Sequence, residues 1–204
     1  MIENSALIIF VKNPVLSKVK TRLAEDIGDE SALTVYKNLL IKTFQTVHPV
    51  NVDKFIFYSD FIDEDDMWPK EHYQKFLQDG KDLGERMDNA IKLIFDQWYE
   101  QAVIVGSDCY ELDTKTVERA LFELSRTDCV LGPATDGGYY LIGMKQSLDV
   151  FHDIEWSTES VLEKTIDKLK ANQHEYLLLQ ELSDVDTLED LKKYKELLKK
   201  KATA

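Results

Sequence analysis

The chain has 204 residues and a mass of 23.6 kDa, which is the size of one ordinary domain. Hydrophobic residues make up 44% of it and charged residues 31%, so it can build a core and is not a disordered segment. Its 38 acidic residues outnumber its 25 lysines and arginines, and the resulting charge of −13 argues against a protein that coats DNA or RNA.

The first half of the chain alternates apolar, strand-like runs with helical patterns. Residues 6–11 form a continuous apolar run, which is typical of a strand buried on both faces. From Ser31 apolar residues recur at helical spacing as far as Pro49, and a second strand is predicted at 55–58. The segment 59–71 carries six acidic residues against one lysine, which predicts a solvated loop or a short helix.

The second half of the chain continues this alternation. An amphipathic helix is predicted over 83–98 with Asp82 as its N-cap, and a buried strand follows at 102–106. Asp113 is the predicted N-cap of the next helix. The remaining predicted elements are strands at 129–131, 139–142 and 176–179, a helix capped by Ser157, and a lysine-rich terminal helix opened by Thr187 and Asp190.

This β-α-β-α order predicts a three-layer α/β/α fold with a mainly parallel, mixed sheet. The strands at 129–131 and 139–142 are too close in sequence for a helical crossover, so we expect antiparallel pairing near them. The sequence contains no internal repeat and no linker-like stretch. We therefore predict a single domain over residues 1–204.

The cysteines and the apolar runs indicate the cellular setting. Cys109 and Cys129 are too few for a disulfide scaffold or a structural zinc site, and both lie in apolar contexts. Two buried free thiols in a reducing cytosol are the simplest interpretation. The longest apolar run, at 6–11, is too short for a membrane span or for the core of a signal peptide. We expect a cytoplasmic protein with no membrane partner.

A basic loop follows the first predicted strand. Residues 12–22 contain Lys12, Lys18, Lys20 and Arg22 and no acidic residue, a local reversal of charge in an acidic chain. Such cations can neutralise phosphates, and ligands of open α/β sheets collect at the carboxyl ends of the strands. A solvated basic loop is the alternative. No glycine lies between Lys12 and Arg22, which excludes a Walker loop and a dinucleotide fingerprint.

Acidic residues follow two other predicted strands. Asp108 comes directly after the strand at 102–106, and Asp186 comes shortly after the strand at 176–179. Two carboxylates at one sheet edge can bind Mg²⁺ or Mn²⁺, which take oxygen ligands and leave positions open for substrate phosphates. A turn aspartate and a helix cap explain these residues equally well.

The segment 136–140 reads Asp-Gly-Gly-Tyr-Tyr. Gly137 and Gly138 can let backbone N–H groups approach a ligand closely or adopt a positive φ, which makes them candidates for phosphate binding. Asp136 can supply a polar ligand group beside them. A hairpin turn is the alternative, since Asp-Gly is a strong hairpin signal, and both interpretations can hold together.

Two further side chains are candidates for the site. Arg86 is expected within the first turn of the helix that begins after Asp82, and the N-terminus of a helix favours anions. A surface arginine beside a simple cap is the alternative. His152 is a candidate base, because it flanks a turn that precedes a predicted helix.

These motifs together resemble a bacterial and archaeal family of small GT-A-fold proteins. Members of this DUF2064-like family are described as uncharacterised or as candidate glycosyltransferases, including a group linked to arsenosugar biosynthesis. The basic loop is also similar to that of 2-phospho-lactate guanylyltransferases. The resemblance spans 6–191 and rests on Phe10-Val-Lys-Asn-Pro14, Val19-Lys-Thr-Arg-Leu23, Asp82-Leu-Gly-Glu-Arg86, Gly106-Ser-Asp-Cys109, Leu131-Gly-Pro-Ala-Thr-Asp-Gly-Gly-Tyr-Tyr-Leu-Ile-Gly143, Trp156-Ser-Thr158 and Asp184-Val-Asp-Thr187.

The resemblance implies a nucleotide-diphospho-sugar transferase fold, with a nucleotide bound over the N-terminal half of the sheet. It implies that Lys12, Lys20 and Arg22 face the phosphates, that Asp108 holds a metal ion and that Asp186 is its second ligand. The chain also departs from the family pattern at two positions. Ser17 stands where glycine is common, and Tyr110 stands where proline is common.

Three functions are compatible with this sequence. The first, which we prefer, is a metal-dependent glycosyltransferase that moves a sugar from a nucleotide donor to a small-molecule acceptor, with Asp136 or His152 as the base. The second is a nucleotidyltransferase that joins a nucleoside monophosphate to a phosphorylated acceptor and releases pyrophosphate. The third is a nucleotide-binding module without catalysis. None of the three has a nucleic-acid polymer as its partner.

Overall fold

The computed structural model describes residues 4–199, in which strands and helices alternate. The strands are β1 (Ser5–Val11), β2 (Asp53–Tyr58), β3 (Tyr73–Leu77), β4 (Gln101–Val105), β5 (Cys129–Pro133), β6 (Tyr139–Met144) and β7 (Tyr176–Leu178). The helices are α1 (Thr21–Ile27), α2 (Asp29–Val47), α3 (Leu83–Phe95), α4 (Thr114–Glu123), α5 (Val161–Ala171) and α6 (Leu188–Lys193), and a 3₁₀ turn follows at Lys195–Leu198.

The seven strands form one sheet in the order β3-β2-β1-β4-β6-β5-β7. β6 runs antiparallel to both of its neighbours, β4 and β5, and the other neighbouring pairs are parallel. This confirms the predicted α/β class, the mainly parallel mixed sheet and the antiparallel pairing of β5 with β6. The short connection after β5 leaves no room for a helical crossover, so the chain turns straight back.

The central strand β1 is buried on both faces, which explains its continuous apolar sequence. Its residues Leu7 and Ile9 pack against α2 and α4, whereas Ile8 and Phe10 pack against α3 and α5 on the opposite face. The period-2 alternation of strand side chains therefore builds two separate core layers from one apolar run. A third, smaller cluster joins α1, α2 and α6.

The helix starts follow the predicted caps with one exception. Asp82 accepts a hydrogen bond from the Glu85 N–H, and Asp113 accepts one from the Thr116 N–H. Thr187 and Asp190 form a capping box at the start of α6. The prediction for Ser157 was wrong, because α5 begins at Val161 with Ser160 before it. Ser157 instead lies in the preceding turn with φ = 64°.

Two elements were not predicted from the sequence. β3 is a short edge strand in which only Tyr73 is fully buried, so its hydrophobic alternation is weak. α1 begins inside the basic segment, directly after Lys20, whose φ of 49° places it in the left-handed region. Ser17, where the family commonly has glycine, also has a left-handed backbone, with φ = 63°. The acidic segment 59–71 was predicted to be either a solvated loop or a short helix. It contains bends and turns and no helix, so the loop is the alternative that the structure shows.

The terminal residues 200–204, part of the lysine-rich tail of the last predicted helix, lie outside the described residues, as do 1–3. Within 4–199, no helix is both long and apolar enough to cross a bilayer.

Candidate functional site

A cleft with a volume of about 790 Å³ opens at the carboxyl ends of the parallel strands. Its centre is the boundary between β1 and β4, because the connection after β1 leads to β2, toward one edge of the sheet, and the connection after β4 leads to β5, toward the other edge. Small-molecule sites typically have volumes of about 300–1,000 Å³. The cleft brings together residues from five separate segments. Most of the predicted site residues line it, together with Asp184: Lys12, Lys18, Lys20, Arg22, Arg86, Asp108, Asp136, Gly138 and Asp186.

The phenol of Tyr36 ties the two central strand ends together. This α2 residue is 1% exposed, and its hydroxyl accepts a hydrogen bond from the Lys12 N–H at 2.8 Å. The same hydroxyl lies 3.0 Å from the Lys12 carbonyl oxygen and 3.1 Å from Ser107 Oγ. Because Lys12 follows β1 and Ser107 follows β4, this group sets the spacing of the two loops that form the floor of the cleft.

Lys20 lies between two carboxylates at the base of the cleft. Its Nζ is 2.8 Å from Asp108 Oδ1 and 2.6 Å from Asp186 Oδ1, and its side chain is only 3% exposed. Burial disfavours the charged ammonium, but the two carboxylates outweigh burial and raise the pKa of Lys20. Lys20 is therefore held as a cation by groups that follow β4 and β7 in the chain.

The segment that carries Asp186 is fastened to the loop after β4. The Val185 N–H donates to the Asp108 carbonyl oxygen at 3.0 Å, and Cys109 forms an antiparallel bridge with Asp184. Burial disfavours the ionised form of Asp186, but the Lys20 ammonium outweighs burial and holds its pKa below the usual value. Burial, together with the neighbouring Asp108 carboxylate, raises the pKa of Asp184 to about 7.

The other cations of the cleft differ from Lys20 in their partners. Lys12, Lys18 and Arg22 are exposed, and none of them forms an ion pair with any side chain in the described part of the chain. Arg86 is half-buried, and its Nε donates to the Gly80 carbonyl oxygen at 3.1 Å, which orients it at the start of α3. These side chains give one wall of the cleft a positive charge that no salt bridge within the described residues neutralises.

The Asp-Gly-Gly segment forms a tight turn between β5 and β6. Asp136 Oδ1 accepts from the Gly138 N–H at 3.0 Å, and the Gly137 N–H donates to the Ala134 carbonyl oxygen at 3.0 Å. Gly137 has the predicted positive φ, with a value of 86°. Gly137 does not line the cleft, whereas Gly138 does. Both N–H groups are used within the protein, so the predicted phosphate binding by Gly137 and Gly138 has no free donor here. Asp136 is exposed and faces the cleft.

His152 is not brought into the cleft. It lines a separate cavity of about 290 Å³, and its Nε2 lies 3.3 Å from Asp88 Oδ2 on α3. Trp156 lines both cavities, and so stands between His152 and the larger cleft. The geometry therefore separates the two predicted bases and leaves Asp136 as the one that faces the cleft.

Asp108 and Asp186, which were predicted to bind a metal ion, can be compared with the ligands that Mg²⁺ takes in proteins. No group of three or more His, Cys, Asp or Glu side chains within 4–199 is arranged as a ready metal site. Mg²⁺, however, is commonly bound through one or two carboxylates together with substrate phosphates. Asp108 and Asp186 suit that mode, and Asp108 Oδ1 is buried with no hydrogen-bond partner besides its ion pair with Lys20. The ammonium of Lys20 occupies the space between them.

Gln78 is a cleft residue that the sequence analysis missed. It follows β3, and its amide Nε2 donates to the carbonyl oxygens of Val11 at 3.2 Å and Phe57 at 2.9 Å. It thereby connects the ends of β1 and β2 beside the cleft. The position of Gln78 directly after a strand could have identified it as a site residue, but the sequence analysis did not predict β3.

Solved structures of similar fold include one from a bacterium with substantial sequence identity to this chain. A candidate nucleotide-diphospho-sugar transferase from Desulfovibrio desulfuricans G20 is 36% identical, with a TM-score of 0.84 over 92% of this chain and 84% of that one. A 4-diphosphocytidyl-2C-methyl-D-erythritol synthase from Anaerococcus prevotii has a TM-score of 0.59 at 10% identity, over 93% of each chain. The inositol-1-phosphate CTP transferase from T. maritima has a TM-score of 0.52 at 13% identity, over 96% of this chain and 94% of that one.

The last two similarities show a shared fold, because their sequence identities are low. A search among curated proteins gives no significant match. Residues 43–158, more than half of the chain, match the family described as "Uncharacterized protein conserved in bacteria (DUF2064)". With the predicted resemblance confirmed by this match and by the Desulfovibrio relative, the chain belongs to the DUF2064 family.

Proposed function

We propose that this protein is a transferase that moves a sugar from a nucleoside-diphosphate-sugar donor to a small-molecule acceptor. One observation carries the proposal: Lys12, Lys18 and Arg22 face the cleft without ion-pair partners within the described residues. Holding several like charges together without counter-ions is unfavourable in the empty cleft and becomes favourable when a polyanion binds. The similarity to the Desulfovibrio protein supports a nucleotide-linked sugar as that polyanion.

The chemistry assigns a role to each wall of the cleft. In glycosyl transfer, an acceptor hydroxyl oxygen bonds to the anomeric carbon while the bond from that carbon to the diphosphate oxygen breaks. The nucleoside diphosphate leaves with the electron pair, and Lys12, Lys18 and Arg22 stabilise its developing charge. Asp136 would accept the hydroxyl proton, since its Oδ1 accepts from the Gly138 N–H whereas its Oδ2 accepts no hydrogen bond within residues 4–199.

Mg²⁺ or Mn²⁺ belongs to this proposal, with Asp108 and Asp186 as the protein ligands. When bound, the ion would neutralise part of the diphosphate charge and act as a Lewis acid. Asp184 lies next to this pair, where burial and the Asp108 carboxylate raise its pKa to about 7.

A second candidate function is nucleotidyl transfer. Arg86 joins Lys12, Lys18 and Arg22 as a cleft cation without a salt bridge among the described residues, and a triphosphate would offer more anionic groups for these four cations than a diphosphate. The two proteins of similar fold described above are named as a cytidyl-type synthase and a CTP transferase. In this reaction an acceptor phosphate oxygen attacks the α-phosphorus of a nucleoside triphosphate and pyrophosphate leaves.

Product analysis separates these functions. The protein is incubated with Mg²⁺ or Mn²⁺, a panel of nucleoside triphosphates and nucleotide-sugars, and a panel of small alcohols and phosphorylated acceptors. Release of a nucleoside diphosphate together with a glycosylated acceptor supports the proposal. Release of pyrophosphate would establish the second function, and thermal stabilisation without turnover would indicate a binding module.

Removing one positive charge from the cleft tests whether its unpaired cations bind a nucleotide. We expect Lys12→Met to weaken nucleotide binding about tenfold, because one charge-assisted contact is lost. Lys37→Met is the matched control, since Lys37 is exposed on α2 and does not line the cleft. Isothermal titration calorimetry measures both, and equal affinities for the two variants would contradict the role given to Lys12.

A further inference from the structure

The contacts of Lys20 differ from those expected of a phosphate-binding lysine. The sequence places it among the cations of the basic loop, yet its ammonium lies in contact with Asp108 and Asp186, at 2.8 and 2.6 Å. Its side chain is 3% exposed, whereas Lys18, two residues earlier, is exposed and unpaired among the described residues. One loop thus holds two lysines in opposite electrostatic settings.

We propose that Lys20 is the resident counter-ion of the Asp108–Asp186 pair and that a divalent cation displaces it. The ammonium and the metal ion are then alternative occupants of one position between the two carboxylates. This inference rests on the metal site of the proposed function, but it concerns the protein before any nucleotide binds.

Charge balance gives the physical reason for such a resident cation. Asp108 Oδ1 is buried and has no polar partner besides the Lys20 ammonium among the described residues, and two neighbouring carboxylates with no cation between them would repel each other. Lys20 holds the pair together while no metal is bound. A divalent cation replaces a single positive charge by two, so it can take over the same contacts.

The length of the Lys20 side chain allows its ammonium a second position. Lys20 lines the cleft together with Lys12 and Arg22, and its flexible four-carbon stem would let a displaced ammonium reach the open side of the cleft. Displacement of Lys20 would therefore add one cation to the phosphate-binding wall when the metal ion arrives.

Metal affinity measured without nucleotide tests the proposal. Mn²⁺ binding is followed by electron paramagnetic resonance for the wild type, Lys20→Met and Lys18→Met. We expect Lys20→Met to bind Mn²⁺ about tenfold or more tightly than the wild type, since the competing charge is gone. Lys18→Met removes the same charge from the same loop and is expected to remain close to the wild type. Adding Asp186→Asn to Lys20→Met should abolish the gain.

A second measurement uses the wild-type protein and so does not depend on the folding of a variant. Acetylation by a water-soluble N-hydroxysuccinimide ester, read by mass spectrometry, reports the accessibility of each lysine. Lys20 should be protected relative to Lys18 in metal-free protein and should become modified as Mn²⁺ is raised to saturation.

The proposal is overturned if Lys20 remains protected when Mn²⁺ is bound, if no Mn²⁺ binds to any of these proteins, or if Lys20→Met and Lys18→Met have equal Mn²⁺ affinity. Because no nucleotide or acceptor is present, these results are independent of the proposed transfer. A chain that forms no glycosylated product can still show the displacement, and an active transferase can lack it.

Discussion

Replacing Gly137 by alanine tests whether this glycine is required by the backbone or only by a ligand. Gly137 has φ = 86°, and a Cβ built on it would lie 2.5 Å from the Glu159 Cα, with the Glu159 carbonyl oxygen closer still. Both neighbours are backbone atoms just before α5, and the Leu162 N–H donates to the Gly137 carbonyl oxygen at 2.9 Å. The clash therefore cannot be relieved by rotating a side chain.

The size of the effect follows from two separate penalties. A left-handed backbone costs an alanine about 1–2 kcal/mol relative to glycine. Forcing a methyl group into packed atoms typically costs about 1–3 kcal/mol. We expect Gly137→Ala to lower the free energy of unfolding by about 3 kcal/mol, a large share of the roughly 5–15 kcal/mol that domains possess. The corresponding fall in Tm is about 6–12 °C for a chain of this length.

Urea unfolding followed by circular dichroism measures this loss, and Gly106→Ala is the matched control. Gly106 follows β4, has no positive φ, and a Cβ built there meets no atom within 4 Å. We expect that control to remain within about 0.5 kcal/mol of the wild type or to gain slightly. If Gly137→Ala unfolds at the same urea concentration as Gly106→Ala, the steric argument fails.

Two further predictions concern helix α4 and the strand ends. Asp113→Ala should cost about 1 kcal/mol at pH 7, because it removes the N-cap bond from the Thr116 N–H. The bonds from Thr116 hold the pKa of Asp113 below its ordinary value of 3.8, so this contribution is full above pH 3.8 and is lost as the pH falls through the lower folded value. Urea titrations from pH 7 to pH 2 should show the difference from wild type shrinking, and a constant difference would contradict the cap. Tyr36→Phe should cost about 1–3 kcal/mol by leaving the part-buried Lys12 N–H without its acceptor, whereas Tyr99→Phe, which loses an exposed hydroxyl, should cost under about 0.5 kcal/mol. Equal unfolding free energies for these two tyrosine variants would refute that role of the Tyr36 hydroxyl.

The fold was largely predictable because its main signals are local. The apolar run of β1, the helical spacing of α2 and the caps at Asp82 and Asp113 each depend on a few neighbouring residues. The missed elements, β3 and α1, lack such signals. β3 is held in place by parallel pairing with β2, and α1 by packing with α2 and α6. Tertiary contacts, rather than intrinsic preference, stabilise both.

For the candidate site, the sequence by itself determined which chemical groups follow the strand ends, and the α/β order then predicted that they share one edge of the sheet. Only the tertiary structure decided how those groups pair. Lys20 and Asp186 are 166 residues apart in the chain, yet their side chains meet at 2.6 Å. The same packing leaves Lys12 unpaired within 4–199 and places His152 behind Trp156. Pairing depends on side-chain direction and burial, which follow from the three-dimensional packing of distant segments and leave no local pattern in the sequence.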